Sequence, residues 1–327
     1  MISFRIFEEL NFSESESLVS GPTTVICNFW SHLNLDCISS HWQQWILDRQ
    51  DLIRERQHDL NIVTEEEHQK ILIFFCNFMQ ILGEQLKLRQ QVIATAIVYF
   101  KRFYARNSMK CVDPLLLAPT AIFLASKVEE FGVISNSRLV NTCHQVVKNK
   151  FNYAYTQEFP YRTNHILECE FYLLENMDCC LIVYQPYRPL IYFVQDLGYE
   201  EQLLPTAWRM VNDSLRTDCC LMYPPYQIAL ACLQMACVVM QKDVKSWFAE
   251  LGVDLEKLQE ICRYMLNLYE FMKTYDEKKE IQALLAKMPK PKTQPSRPPS
   301  SQQTQDPNNP NQDQNVGQNQ QQIGMNA

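Results

Sequence analysis

The chain has 327 residues, of which 46% are hydrophobic, with thirteen cysteines and a formal net charge of −7. That length suits about two domains of ~100–150 residues, and the acidic balance argues against unspecific binding to a nucleic-acid backbone, which needs a basic surface. No apolar run approaches ~18 residues without a charge or break, so no membrane span is expected, and an odd cysteine count without a C-x-x-C points to buried reduced thiols rather than a metal site or disulfide framework.

Residues 1–39 mix an alternating polar run (Ser13 to Ser17) with Gly21-Pro22 and scattered aromatics. They read as an irregular, disordered extension, without the basic start and long apolar stretch of a signal peptide. Over 40–61 the pattern predicts one amphipathic helix. Trp42, Trp45, Ile46, Leu52, Ile53 and Leu60 form its apolar stripe, and Asp48, Arg49, Glu55 and Arg56 lie opposite. Two readings stand for the tryptophans: docking on the chain's own body, or on another protein.

Five helical segments follow, at roughly 64–82, 88–106, 113–130, 135–148 and 160–177. Thr64 with Glu67 has the spacing of a capping box. Asp113-Pro114 reads as an N-cap and a first-turn proline, and Pro160 opens the fifth segment. The third segment ends in LASKVEE, Leu124 to Glu130, with Gly132 as a candidate stop. Its small residues Ala118, Ala121 and Ala125 let other helices approach closely, as suits the central rod of a bundle. A lysine ending such a rod, Lys127, needs a partner or an exit to water. Nowhere does the period-two alternation of strands appear, so the fold class is all-α.

The pattern then recurs. At a shift of 111, Gln91, Thr95 and Ala96 meet Gln202, Thr206 and Ala207, while Pro114, Ala118 and Ala125 meet Pro225, Ala229 and Ala236. For the fifth helix the shift falls to 95, where Ile166, Leu173 and Glu175 meet Ile261, Leu268 and Glu270. This is a tandem duplication of a five-helix unit, over 62–178 and 179–287, and the second copy has lost 16 residues between its third and fifth helices. Lys127 corresponds to Val238 and Glu170 to Met265. The charges exist in one copy alone, which suggests an added task rather than an internal surface pair. Past 287 the chain turns rich in Pro, Gln and Asn, and 288–327 reads as a disordered tail.

Nothing points to catalysis. The seven glycines include no pair spaced for a phosphate-cradling loop, and there is no nucleophile elbow. His32, His41, His58, His68, His144 and His165 form no metal-ligand spacing. No catalytic residue, metal ligand or cofactor is assigned.

A two-repeat, five-helix bundle with LASKVEE ending its third helix and ILECEFYLLE as its fifth resembles the cyclins. LRQQVIATAIVYFKRFYAR, KVEEFGV, FPYRTNHILECEFYLLE, YRPL, YPPYQIALACL, WFAEL and KMPKPK are similar to the transcriptional branch of that family, over about Ser40 to Lys292. Ile71-Leu72-Ile73-Phe74-Phe75 stands where cell-cycle cyclins carry Met-Arg-Ala-Ile-Leu, and the first forty residues hold no Arg-x-x-Leu destruction box. In cyclins the lysine ending helix three and the glutamate of helix five bind the kinase backbone beside its C-helix. The resemblance therefore implies a kinase clamp at Lys127 and Glu170. Glu129 and Glu130 are further expected to reach toward basic residues of the activation loop, and on the partner-docking reading Trp42 and Trp45 add to the kinase contact.

So read, the chain is a non-catalytic activating subunit in the nucleus. Its partners are a cyclin-dependent kinase of the Mediator module, of the kinase eight type, and other subunits of that module. It regulates RNA polymerase II transcription and contacts neither nucleic acid nor membrane directly. Two other readings remain. A general transcription factor core with paired cyclin-like repeats would need a net basic surface, and the densest basic run is Lys101-Arg102 to Arg106. A helical-repeat scaffold would show more than two repeats and no lone charged pair.

Overall fold

Caps and prolines set where the helices of the first repeat begin. The computed structural model describes residues 39–288; the readings made on 1–38 and on the tail from 289 lie outside the described residues. Thr64 and Glu67 form the capping box in both directions at the start of α4 (Glu65–Gln85). After α5 (Gln90–Arg106), Asp113 accepts from the Leu115 amide and Pro114 occupies the first turn of α6 (Pro114–Val128). Ser135 caps α7 (Asn136–Lys150). Pro160 does not open the fifth helix; α8 (Thr163–Asn176) starts after Arg162, whose amide donates to His165 Nδ1 at 3.1 Å.

The helix expected over 40–61 is broken twice, into α1 (Ser40–Trp45), α2 (Arg49–Glu55) and α3 (Gln57–Leu60). The first break has a tertiary cause. Ile46 and Asp48 are extended, and the Leu47 amide between them donates to the Leu221 carbonyl at 2.7 Å. A backbone donor used by the second repeat is lost to the helical ladder.

The second repeat comprises α9 (Tyr187–Leu197), α10 (Glu200–Ser214), the short α11 (Cys219–Met222), α12 (Pro225–Val239), α13 (Lys245–Glu250) and α14 (Leu255–Thr274). A last helix, α15 (Glu277–Lys287), turns back onto α4. Among the described residues there is no strand. The rod α6 touches α4, α5, α7 and α8, and α12 touches α9, α10 and α14. Ala118, Ala121 and Ala125 are fully buried, as are Ala229, Cys232 and Ala236 at the matching positions. Gly83 serves a similar closeness where α4 meets α5, since a Cβ there would lie 2.5 Å from the Ile93 side chain. The missing residues of repeat two come from its fourth helix, six residues long in α13 against fifteen in α7, and from the link to its fifth, 251–254 against 151–162.

Both rods stop in the same way. Glu130 and Gln241 take the left-handed conformation (φ 50° and 55°), and the next amides, of Phe131 and Lys242, reach back to the carbonyls of Ser126 and Cys237. This is a Schellman turn at C′. Gly132, expected as the stop, lies two residues beyond the turn.

The basic run of α5 is interior at its start, with only Arg106 at its end exposed. Lys101 and Arg102 are buried. The Lys101 ammonium donates to the Thr217 carbonyl and sits 3.6 Å from Asp218 Oδ1. Asp218 takes two bonds from the Arg56 guanidinium, at 2.6 and 3.1 Å. These cations hold Asp218 well below the usual carboxylate range despite its burial. The cluster bolts the turn between α2 and α3, α5 and the start of α11 together, so this run offers no basic face to a nucleic acid. The described cysteines are all unpaired thiols. Cys111 and Cys179 are exposed rather than buried, while burial raises the Cys219 thiol to about 12. No helix of the described residues is long and apolar enough to cross a membrane.

Candidate functional site

The last turn of α6 and the middle of α8 bring two of the expected residues together. Lys127 and Glu170 form an ion pair across the helices, Glu170 buried and Lys127 partly open to solvent. The Lys127 ammonium also lies 4.5 Å from the centre of the Phe123 ring, a cation–π contact. Beside Glu170, Phe171 is 72% exposed, and Tyr172 stands half out of the surface with its ring edge-on to Phe103. Phe131 and Val133 are exposed beyond the end of α6, the former with the Arg89 guanidinium 5.8 Å from its ring. The result is an ion pair set among exposed apolar side chains.

Glu129 and Glu130 have different fates. Glu129 is tied down, its two carboxylate oxygens accepting from Gln91 Nε2 and Thr95 Oγ1, each at 2.6 Å. Thr95 Oγ1 in turn accepts from Gln185 Nε2 at 3.1 Å. Glu130 is exposed in its left-handed turn. The segment carrying Gln185 joins the repeats and lies along one stripe of α5. Arg106 pairs with Asp178 at 3.0 Å, Arg102 donates to the Cys180 carbonyl at 3.3 Å, and Tyr99 donates to the Leu181 carbonyl. Arg106, Arg102, Tyr99 and Thr95 are spaced as one helix face. The face that ends at Glu129 is therefore fixed to the connection between repeats.

Among the described residues no group of histidine, cysteine or carboxylate side chains is placed to hold a metal ion.

Comparison with known proteins agrees with this architecture. The family model for the cyclin N-terminal domain matches residues 41–182, and that for the cyclin C-terminal domain matches 185–288. Cyclin-C of Drosophila melanogaster is 71% identical over 271 residues, covering 83% of this chain and 99% of that protein. Cyclin-C of Rattus norvegicus is 62% identical over 281 residues, with 86% and 95% covered. The chain belongs to the cyclin family.

Of solved structures, a chain in the yeast TFIIK (Kin28/Ccl1/Tfb3) complex is 27% identical, with a TM-score of 0.54 and coverage of 71% of this cyclin and 99% of that chain. A chain of the CAK complex of Chaetomium thermophilum, at 21% identity, TM-score 0.62 and coverage of 80% and 90%, shares the fold. The present chain is a regulatory cyclin, not itself an enzyme.

Of the six residues read as kinase-binding, the cyclin brings Lys127 and Glu170 into contact and keeps Glu129 and Glu130 at the end of the same rod. Trp45 goes elsewhere. Trp45 is fully buried, its ring against the guanidinium groups of Arg102 at 4.9 Å and Arg106 at 3.9 Å. It packs on the chain's own body and offers no surface to a partner, because two arginines of α5 need an aromatic face to cover them. Trp42 is half-buried. Ile71 to Phe75 are also all buried, so that stretch of α4 forms no exposed apolar patch.

Sequence reasoning missed Phe171. The signal was present: Ile166, Glu170 and Leu173 line the buried side of α8, and an aromatic one residue past Glu170 falls off that stripe. Gln185 had no such signal, since its role comes only from where the connecting segment lies.

Proposed function

We propose that this cyclin binds and activates a cyclin-dependent protein kinase through the end of α6 and the exposed side of α8. One observation supports this above the others. At equivalent places, repeat one offers Lys127, Glu129 and an exposed Phe171, where repeat two has Val238, Met240 and Leu266, the last only 3% exposed. Pairing needed only for packing belongs in both copies.

A kinase lacking its cyclin holds its C-helix outward, with the Lys–Glu pair that positions ATP unmade. A face that binds the inward state more tightly shifts the population, and a shift from 1:99 to 99:1 takes ~5.5 kcal/mol of differential affinity. Covering Phe171 contributes roughly 1.5–3 kcal/mol. Charge-assisted hydrogen bonds from Lys127 and Glu170 to partner backbone add ~1.5–3 kcal/mol each.

The finer assignment rests on the relatives named Cyclin-C and on the motifs of the transcriptional branch. The kinase is that of the Mediator module, other subunits of the module are further partners, and the work is done in the nucleus on RNA polymerase II transcription. The test is capture of the tagged full chain from nuclear extract, with mass spectrometry, beside a Phe171→Glu variant. A cyclin-dependent kinase and Mediator subunits should co-purify with the wild type, and the kinase should be lost with the variant at an unchanged unfolding midpoint. Recovery of no kinase overturns the reading; a kinase without Mediator subunits overturns the finer assignment alone.

A further inference from the structure

The last helix of the described residues has no counterpart in repeat one and no part in the proposed kinase face. α15 follows α14 after Tyr275 and Asp276, both extended, and folds back onto α4. Its first turn has no side-chain cap hydrogen bond. Of its eleven residues only Ile281 and Leu284 are buried. A helix of that length does not persist in water by itself, so it exists because it is docked.

The docking is largely polar. Lys70 of α4 pairs with Glu280 at 2.8 Å while also held by Glu66 at 2.9 Å, and its ammonium lies 5.5 Å from the Tyr275 ring. Glu277 accepts from Asn77 Nδ2 at 2.9 Å and from Tyr153 Oη at 2.6 Å. At the far end Lys287 meets Glu67 at 2.6 Å. Partly exposed pairs of this kind are individually weak and screened by salt. An element held by two buried aliphatic side chains, a half-buried Leu285 and a row of such pairs opens more easily than the bundle beneath it.

We infer that α15 is a releasable strap, and that the α4 surface under it is a receptor for an acidic amphipathic helix, filled in the free protein by the chain's own segment. The recognised pattern is acid, acid, apolar, apolar at 277, 280, 281 and 284, which is one helix face. Lys70 at the centre, with Asn77 and Tyr153 as donors, selects the acids. A partner helix with the same pattern competes for the site.

Hydrogen exchange of the full chain is the first measurement. Amides of α15 should exchange at least ~10-fold faster than those of α4, with the gap widening at high ionic strength. The second is titration with a labelled peptide of residues 275–288. An Ile281→Ala/Leu284→Ala variant, its own strap loosened, should bind that peptide at least ~10-fold more tightly than the wild type, and Lys70→Glu added to it should abolish binding. Equal, salt-insensitive exchange of α15 and α4 overturns the strap. So does a loosened variant that loses its folded state, since α15 is then part of the bundle. A loosened variant that melts as before but takes up no peptide overturns the receptor.

Discussion

Glu130 and Gln241 lie 111 positions apart and end their rods in the same left-handed turn, with φ of 50° and 55°. Neither is glycine, the residue such a turn favours, and an L-residue held there costs roughly 1 kcal/mol. Glu130→Gly and Gln241→Gly should each raise stability by about 0.5–1 kcal/mol in chemical denaturation. Kinase affinity should fall for the first and hold for the second. Equal effects on binding would remove the end of α6 from the interface.

Lys127→Val with Glu170→Met copies repeat two into repeat one. Exchanging both members of a pair for apolar groups is often neutral, so the melting transition should stay close to wild type. Lys127→Val alone leaves the buried Glu170 carboxylate unpaired and should cost about 1–3 kcal/mol. Titration against the purified kinase should show the double variant strongly weakened. If it unfolds early while its folded fraction binds normally, the pair is structural.

Asp218→Asn leaves the Lys101 ammonium and the Arg56 guanidinium largely buried without their counter-charge. About 3 kcal/mol should be lost, read as a fall in the urea midpoint at constant slope. Lys101→Met added to it should recover part of the loss. An unchanged midpoint in the single variant would show that solvent already screens the cluster.

His41 and His68 are buried, and their pKa values are pushed down to about 3 and about 4. Burial is the larger cause in each, followed by the Arg102 charge for His41 and the Arg56 charge for His68. Below pH ~6.5 the unfolded chain takes up protons that the folded chain refuses, so stability falls as the pH drops toward 4. The slope should approach ~1.4 kcal/mol per pH unit for each group. His68→Phe should flatten it by about half. Asp218, whose pKa is lowered, keeps its stabilisation through this window, because that is lost only as the pH falls through its folded value.

Trp45→Ala should cost about 3–5 kcal/mol, the range for emptying a buried aromatic site. Thermal unfolding measures it. A cost below ~1 kcal/mol, with kinase binding lost, would return Trp45 to the partner surface.

The local rules were legible in the chain. Periodicity and caps placed the five helices of repeat one to within a few residues, because a helix is closed by bonds to residues four positions away and carries its stripe in its own sequence. Comparing the copies singled out Lys127 and Glu170 before any contact was known, since an unduplicated charge needs no structure to be seen. Destinations set by distant chain were not legible. Trp45 could face inward or outward until Arg102 and Arg106 claimed it, and the 40–61 helix read as continuous because Leu221, which takes the Leu47 amide, lies in the other repeat. Lys101 and Arg102 read only as the start of the densest basic run, while the carboxylate that makes burial of Lys101 tolerable, Asp218, also binds Arg56 across 162 positions of sequence. Hydrogen bonding along the backbone is a local property that sequence displays; the partner of a buried charge is a tertiary property, decided only when remote segments pack together.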